Sequence, residues 1–421
     1  MRRSSWLIAL AVGAFGCGPP AVVEAALHED LPALARAVQA RRAAGELDAA
    51  LAREIAIAVA GREVRSATGE AAVRRVRAVA SCAAPLVPVL EARASRHDEA
   101  GAEAALVLLQ LGELSRSAAV ERHAGDRHPA WRAVGARAAA GAASGALRRA
   151  LFVDPDARVR ANALLAAADA PDARDLDAAL EAARVDPEPR ARAAAARAAG
   201  AIGGDRAVLG LADSWSGASP ADRVAIVEAW SADAAWPSGG ARQLRRVAET
   251  TSGMPSVEAA GELVRRGDPL GLAVLLRSIH DGTVGERARA AELVPLEDPA
   301  VRAALVEASK HPDPALAIAA LGRLASVPSE RKAALERLRK LAGGAGLPAV
   351  GARLALAAAA DRSVVPGLEA QLSRGDAHAR REATRGLLYL GLYDRAATAL
   401  ADRDPAVRAY AACAILRETS P

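Results

Sequence analysis

Aromatic residues are scarce in this 421-residue chain, since Trp, Tyr and Phe together make up only 2% of it. One large core without aromatics is difficult to fill, and single cores rarely grow past about 250–300 residues. The hydrophobic fraction is nevertheless 52%, which argues against a disordered chain. Many small repeated units, each with a modest core, account for both observations.

Lysine is also rare, because only three of the 55 basic residues are lysines and the other 52 are arginines. The 50 acidic residues nearly balance them, and the formal net charge is only +5. A net charge this small does not indicate nucleic acid as a partner. An armadillo-like nucleic-acid binder stays as an alternative on the arginine count alone, but nucleic acid is not expected.

Motifs of catalysis and cofactor binding are missing from the sequence. It contains no P-loop, no G-x-S-x-G elbow, no H-E-x-x-H, no C-x-x-C and no G-x-G-x-x-G. Its one His-Glu pair, at His28, lacks the convergent ligands that a metal site needs. We therefore predict that the protein is not an enzyme and that it takes no cofactor, no metal and no small-molecule substrate.

The first seventeen residues have the pattern of an export signal. Two arginines precede an apolar run at residues 6–15, which is too short to span a bilayer. Residues Ala14 to Cys17 resemble the lipobox of bacterial lipoproteins, although Ala14 stands where that motif prefers Leu. The resemblance implies removal of residues 1–16, acylation of Cys17 and a lipid-anchored protein of the bacterial cell envelope that faces the periplasm. An ordinary secretory signal cut near Gly16 and a mispredicted start codon are the alternatives.

Internal repetition is the strongest signal in the sequence. The hexapeptide Asp-Pro-Ala-Val-Arg-Ala occurs at Asp298 and again at Asp404, and looser copies begin at Asp154, Asp186 and Asp313. Asp caps a helix N-terminus, Pro fits the first helical turn, and apolar residues follow at helical spacing. The Arg four residues after the Asp can form an ion pair across the turn or with a neighbouring repeat. The first helices are predicted to start near residues 70, 98, 128, 154, 186, 220, 254, 284, 313, 348, 376 and 404.

These starts are about 30 residues apart, which leaves room for a second helix in each repeat. A short helix pair cannot bury its apolar stripe alone, so stacked pairs form an α-solenoid. The Asp-Pro-x-x-Arg-x-x-Ala pattern resembles HEAT-like repeats of the bacterial PBS-lyase type over roughly residues 66–417. The resemblance implies an all-α, right-handed α-solenoid of about eleven to twelve two-helix repeats.

The domain organisation follows from the leader and the repeats. We predict a signal peptide at 1–16, a lipid-anchored N-terminus with a helical cap at 17–65, and the HEAT-like solenoid at 66–421. Cys82 and Cys413 lie near opposite ends of that solenoid, so we expect two separate buried side chains rather than a disulfide. The last repeat has no polar capping helix after it, and we expect its apolar face to be exposed to a partner.

Three aromatic residues are the candidate partner-binding residues. Trp215 and Trp236 lie in or beside stretches rich in Gly, Ser and Pro. Each either fills a gap between repeats or is an exposed anchor, since Trp is enriched in interface hot spots. Tyr410, in the last helix, is the third candidate. Trp131 and Trp230 occupy apolar positions of their repeats, and we expect both in the core.

Together these features predict a membrane-anchored envelope lipoprotein that acts as a protein–protein interaction scaffold. Its expected partner is an envelope protein or peptide, and its expected membrane contact is the lipid on Cys17. A HEAT-fold enzyme of the lyase type is a further alternative, because phycobilin lyases share the short repeat. Resemblance in a repeat unit is structural and does not transfer an activity.

Overall fold

The computed structural model of the protein describes residues 20–28 and 30–420. Cys17 and the predicted signal peptide lie outside the described residues. Within them the chain forms 26 α-helices and no β-strand. None of these helices combines the length and the apolar character that crossing a bilayer requires. The first three are α1 (Ala21–Leu27), α2 (Leu31–Ala43) and α3 (Ala49–Ser66).

Every predicted repeat start is matched by a helix that begins within three residues of it. These twelve helices, named the inner helices, are α4 (Gly69–Val79), α6 (Glu99–Leu111), α8 (Pro129–Ala138), α10 (Ala157–Asp169), α12 (Pro189–Ile202), α14 (Pro220–Ser231), α16 (Met254–Arg265), α18 (Val284–Leu293), α20 (Pro314–Leu324), α22 (Gly346–Ala358), α24 (Ala377–Tyr389) and α26 (Pro405–Glu418). The outer helices between them are α5 (Val87–Ala94), α7 (Arg116–His123), α9 (Gly145–Leu151), α11 (Leu176–Val185), α13 (Gly204–Ser214), α15 (Ala241–Thr250), α17 (Pro269–Asp281), α19 (Pro299–Ser309), α21 (Arg331–Ala342), α23 (Val365–Arg374) and α25 (Tyr393–Ala396). Successive inner helices pack side by side. The predicted all-α array of helix pairs is therefore confirmed.

Aspartate caps many of these helices, as the repeated hexapeptide predicts. The Asp404 carboxylate accepts a hydrogen bond of 2.8 Å from the N–H of Ala406 at the start of α26. Asp298 does the same for Ala300, at 2.7 Å, but it begins α19, which is an outer helix. The identical hexapeptide thus begins an inner helix at Asp404 and an outer helix at Asp298. It specifies how the helix N-terminus is capped, which is local, and not where the helix packs in the array.

Small side chains fill the interface between inner helices. A Cβ atom on Gly200 of α12 would lie 2.5 Å from the carbonyl oxygen of Ala229 on α14, so these two backbones approach too closely for any larger residue. The few aromatic residues fill the wider gaps. Trp131 and Trp230 are 3% and 0% exposed, which confirms that both lie in the core.

A ladder of partly buried ion pairs connects neighbouring inner helices. Arg160 of α10 donates two hydrogen bonds, of 2.7 and 2.8 Å, to the Asp186 carboxylate before α12. It also donates to the carbonyl oxygens of Asp154 and Pro155 in its own repeat. We call Arg160 and its equivalents the ladder arginines; the other pairs are Arg132–Asp154, Arg192–Asp222 and Arg380–Asp402. In α10 the ladder position lies two residues after the Arg158 that the repeat pattern selected.

The array closes into a ring. The last inner helix, α26, packs against α4, the first one, and also against α3. Between α26 and α4, α3 occupies the position that an outer helix holds in the other repeats. A disulfide joins Cys82, just after α4, to Cys413 of α26, with their Cα atoms 5.3 Å apart. The expectation that an extended solenoid keeps these two cysteines apart is wrong, although both are buried as predicted.

The predicted exposed apolar face of the last repeat is also not found. Ile415 and Leu416 of α26 are 0% and 1% exposed, because α3 packs on α26 as its outer helix. Curvature accumulated over twelve repeats brings α26 round to the beginning of the array. We call the contact between α26, α3 and α4 the seam of the ring.

Candidate functional site: the inner groove

A cavity of about 790 Å³ lies along six consecutive inner helices, α4 to α14. All of its lining residues belong to these helices or to their ends, and none belongs to an outer helix. A cavity shared in this way requires the inner helices to form the concave side of the array. We call this cavity the inner groove, and it faces the central space of the ring.

The floor of the inner groove consists mainly of alanine. Ala133, Ala161 and Ala193 each follow a ladder arginine directly, so they recur at the same position of α8, α10 and α12. Small side chains there leave space above three neighbouring helices. Leu106 and Leu165 add apolar surface to the same floor. The floor can therefore accommodate an extended polypeptide or one face of a helix rather than a single small ligand in a closed pocket.

Ion pairs between helices line one part of the groove. Arg77 of α4 donates hydrogen bonds of 2.8 and 3.0 Å to the Glu103 carboxylate of α6. That hydrogen bond raises the pKa of Arg77, so the guanidinium remains charged. Arg158 of α10 lies 3.2 Å from Glu99 of α6, two repeats away. A contact across α8 shows that the inner surface curves strongly here.

Charged side chains without an ion pair occupy the rest of the groove. Arg190 and Arg197 are exposed on α12 and form no side-chain hydrogen bond with the described part of the chain. Seven residues of helix separate them, so they lie on one face about 10 Å apart. Glu188 and Glu228 line the same groove. Unpaired charges of both signs above an apolar floor suit a peptide with mixed side chains.

The two tryptophans selected from the sequence lie away from the groove. Trp215 follows α13, is half-buried, and stacks on Trp230 with ring centroids 5.4 Å apart. Trp236 lies between α14 and α15, with the Arg266 guanidinium 5.0 Å from its ring centroid. Neither lines the inner groove. Their role as anchors for a partner stays a prediction.

Tyr410, the third candidate, lies on inner helix α26 and is half-buried. Burial and the nearby Glu382 carboxylate raise the pKa of Tyr410, so its hydroxyl remains a neutral donor. The groove arginines and glutamates were not selected from the sequence as partner-binding residues, although Arg158 and Arg190 belong to the repeat pattern. The signal that finds them is their spacing from each ladder arginine, which becomes visible only when the inner helices are aligned on that residue.

A histidine cluster surrounds the buried Trp131. The His97 ring stacks on the Trp131 indole with ring centroids 5.1 Å apart, and the centroid of the His123 ring lies 4.5 Å from that of the indole. The Asp126 carboxylate is 3.4 Å from His97 and 3.8 Å from His123. Burial lowers the pKa of His123, which favours a neutral ring beside the indole. Over residues 20–28 and 30–420, no group of three or more His, Cys, Asp and Glu side chains is placed to hold a metal ion.

No protein-family model and no curated protein matches the chain. Similar solved structures include a mutant of Kap121p, at 12% identity over 93% of this chain and 47% of that one, with a TM-score of 0.31. Kap121p bound to Ste12p matches at 13% identity over 88% of this chain and 48% of that one, with a TM-score of 0.26. An engineered protein matches at 22% identity over 58% of this chain and 94% of that one, with a TM-score of 0.18. The chain spans about half the length of the Kap121p chains, and at these TM-scores the likeness carries no argument about function.

Proposed function

We propose that the protein is a lipid-anchored scaffold of the bacterial cell envelope that binds a protein or peptide in the inner groove without turning it over. The observation that carries this proposal is the groove itself. Six helices share the groove and its alanine-rich floor, and the unpaired arginines and glutamates lie at α12 and α14. That arrangement orients a polypeptide by charge and packs its apolar side chains.

In this proposal the anchor is the acylated Cys17, and the ring faces the periplasm. Two or more acyl chains give stable membrane attachment, which a single chain does not. The Cys82–Cys413 disulfide supports export independently of the leader. Structural disulfides persist in oxidising compartments such as the periplasm and are rare in the reducing cytosol.

The anchor is tested by labelling. Cells that express the wild type or Cys17→Ser are fed labelled palmitate and fractionated. We expect label and membrane pelleting for the wild type alone. A wild type that stays unlabelled and soluble in the cytoplasm contradicts the lipoprotein assignment and returns the nucleic-acid alternative to consideration.

The binding role is tested by site-specific cross-linking. A photoreactive residue is placed at Ala161 or Ala193 in the groove, and at the exposed Ala333 of outer helix α21 as a control. In envelope extracts we expect discrete adducts from the two groove positions and none from Ala333. Equal adducts from all three positions, or none from the groove, contradict the proposal.

Charge reversal then identifies the contribution of α12. The double variant Arg190→Glu and Arg197→Glu should abolish the adducts from Ala161 while helical content is unchanged. Arg242 and Arg246 are exposed on outer helix α15 and receive the same reversal as a matched control. Retained adducts in the α12 variant would show that these arginines do not contact the partner.

The tryptophan prediction has its own test. Replacing Trp215 and Trp236 by alanine should abolish partner capture, with helical content intact, if the two indoles anchor the partner. Loss of folding instead would assign both residues to packing. Intact capture in a folded variant would leave the inner groove as the binding surface.

A further inference from the structure

Inner helices α24 and α26 carry an unusual set of side chains on the central face of the ring. Arg380 is the ladder arginine of α24, as Arg160 is that of α10. Arg385, five residues after it, is therefore equivalent to Leu165, which lines the inner groove. Arg408, which binds Glu63, holds the ladder position of α26, and Tyr410 follows it by two residues on the same face. The same position holds Arg137 in α8 and Arg197 in α12, so a groove-facing arginine recurs in this register, and in α24 and α26 tyrosines accompany it.

Arg385 is hydrogen-bonded to a tyrosine and forms only a long ion pair with an acid, Glu382. Its Nε donates a hydrogen bond of 2.7 Å to the Tyr389 hydroxyl, and its guanidinium carbon lies 5.3 Å from the centre of that ring. Its terminal nitrogen approaches the Glu382 carboxylate only to 3.9 Å, beyond hydrogen-bond distance. Tyr389 is 39% exposed. We call Arg385, Tyr389 and Tyr410 the tyrosine patch. The Tyr389 hydroxyl holds the Arg385 guanidinium in place, and no described residue accepts a hydrogen bond from its terminal N–H groups.

The patch faces α12 across the ring. In a closed ring of twelve inner helices, helices six positions apart lie on opposite sides, and α24 is six positions after α12. Arginines without a short carboxylate contact therefore face the central space from both sides, Arg190 and Arg197 on one and Arg385 on the other. Acidic residues interrupt both faces, with Glu228 beside α12 and Glu382 beside the patch. This is not the continuous basic surface that a nucleic-acid backbone selects.

We propose that the tyrosine patch is a second binding site on the inner surface, and that it takes acidic side chains of a protein segment held in the ring. A carboxylate accepts two parallel hydrogen bonds from the terminal nitrogens of Arg385. The Tyr389 and Tyr410 rings pack on the adjoining part of the segment, as tyrosines do at interface hot spots. This inference rests on the binding role proposed above and names the class of partner.

The test measures binding of defined probes to the complete chain. The first probe is a labelled peptide of alternating Glu and Ala, and the second is the same peptide with Gln in place of Glu. By fluorescence anisotropy, Arg385→Gln should weaken binding of the Glu peptide about tenfold or more, because a charge-assisted pair is lost. Tyr389→Phe, which keeps the ring but removes the hydroxyl that orients Arg385, should give a smaller loss. Arg242→Gln on α15 is the matched control and should bind like the wild type.

Equal affinity for the Gln and Glu peptides, or equal losses in Arg385→Gln and Arg242→Gln, would overturn the proposal. A labelled oligonucleotide that binds more tightly than the Glu peptide and competes with it would overturn it in favour of nucleic acid. If the peptide test fails but the groove cross-links persist, the proposed binding role stands and only the proposed preference for acidic segments is wrong. Absence of those cross-links, with peptide binding that depends on Arg385, would move the binding site from the groove to the patch.

Discussion

The junction between α10 and α12 and the seam of the ring use the same ionic contact in different chain contexts. At the interior junction Arg160 binds Asp186, 26 residues later in the chain. At the seam Arg408 of α26 binds Glu63 of α3, 345 residues earlier, with an Nε–Oε1 distance of 2.6 Å. The seam also has Arg75 of α4 at 2.9 Å from the same carboxylate, together with the disulfide. The interior junction has neither.

Chain entropy explains the difference. Closing a contact over 345 residues rather than 26 costs about 2 kcal/mol more, because the cost grows with the logarithm of loop length. An exposed ion pair contributes only about 0–1 kcal/mol and does not offset that cost. The seam therefore requires a buried carboxylate shared among arginines and a covalent bond, whereas the interior junction is already held by the chain.

The largest effect is expected from Glu63→Ala. Glu63 and Arg408 are 1% and 8% exposed, so the variant leaves a buried guanidinium without its carboxylate. Removing one partner of a buried pair costs about 3–5 kcal/mol, and we expect the seam to open. Urea unfolding measures the free energy, and small-angle scattering measures the radius of gyration. The interior counterpart Asp186→Ala should lose stability without any increase in radius; an equal increase in both variants would contradict the comparison.

Removing the disulfide should have the next largest effect. The bond closes a separation of 331 residues. A disulfide of long span typically stabilises a protein by about 2–4 kcal/mol, mainly by restricting the unfolded chain. Cys82→Ser with Cys413→Ser should therefore unfold at lower urea concentration than the oxidised wild type. Reduced wild type should match the variant, and reductant should not change the variant. Identical stability of oxidised and reduced wild type would argue against a covalently closed ring.

Interior junctions should instead be sensitive to backbone spacing. Gly200→Ala places a Cβ against the Ala229 backbone and should destabilise the chain by about 1–3 kcal/mol through overpacking. Gly285 of α18 is the matched control, because a Cβ there would meet nothing within 4 Å. Gly285→Ala should stabilise the protein slightly, by about 0.4–1 kcal/mol. Thermal unfolding with opposite signs for the two variants supports this account; the same sign for both refutes it.

The smallest effect is a pH dependence of the ladder. Burial acts to raise the pKa of Asp186, but hydrogen bonds from Arg160 and from the N–H of Glu188 outweigh it and hold the pKa below its ordinary value. A depressed carboxyl pKa adds stability above the unfolded-state pKa, which is about 4, and that stability is lost as pH falls through the folded-state value. Asp186→Asn should therefore cost about 1–2 kcal/mol at pH 7 and distinctly less at pH 3.

Urea unfolding of wild type and variant at the two pH values measures that difference. Asp177→Asn, which alters an exposed pair with Arg206, is the control and should show little cost at either pH. A cost of Asp186→Asn that is the same at pH 3 and pH 7 would mean that the carboxylate charge does not contribute to the ladder.

Much of the fold could be predicted because its determinants are local. The Asp–Pro starts, the apolar stripes and the core positions of Trp131 and Trp230 all depend on residues within a few turns. The inner groove could be predicted only in outline. Its floor residue follows each ladder arginine, but the sequence does not distinguish a ladder arginine such as Arg160 from a groove arginine such as Arg158.

The sequence by itself determined the repeat length, the helix starts and the alanine-rich packing, because caps and amphipathic stripes act over one or two helical turns. Only the tertiary structure decided that the array is a ring, that α3 completes the last repeat, and that Cys82 meets Cys413. Closure depends on a small rotation between neighbouring repeats, summed over twelve of them. No local pattern encodes that sum, so contacts across 331 and 345 residues arise from the geometry of the whole array.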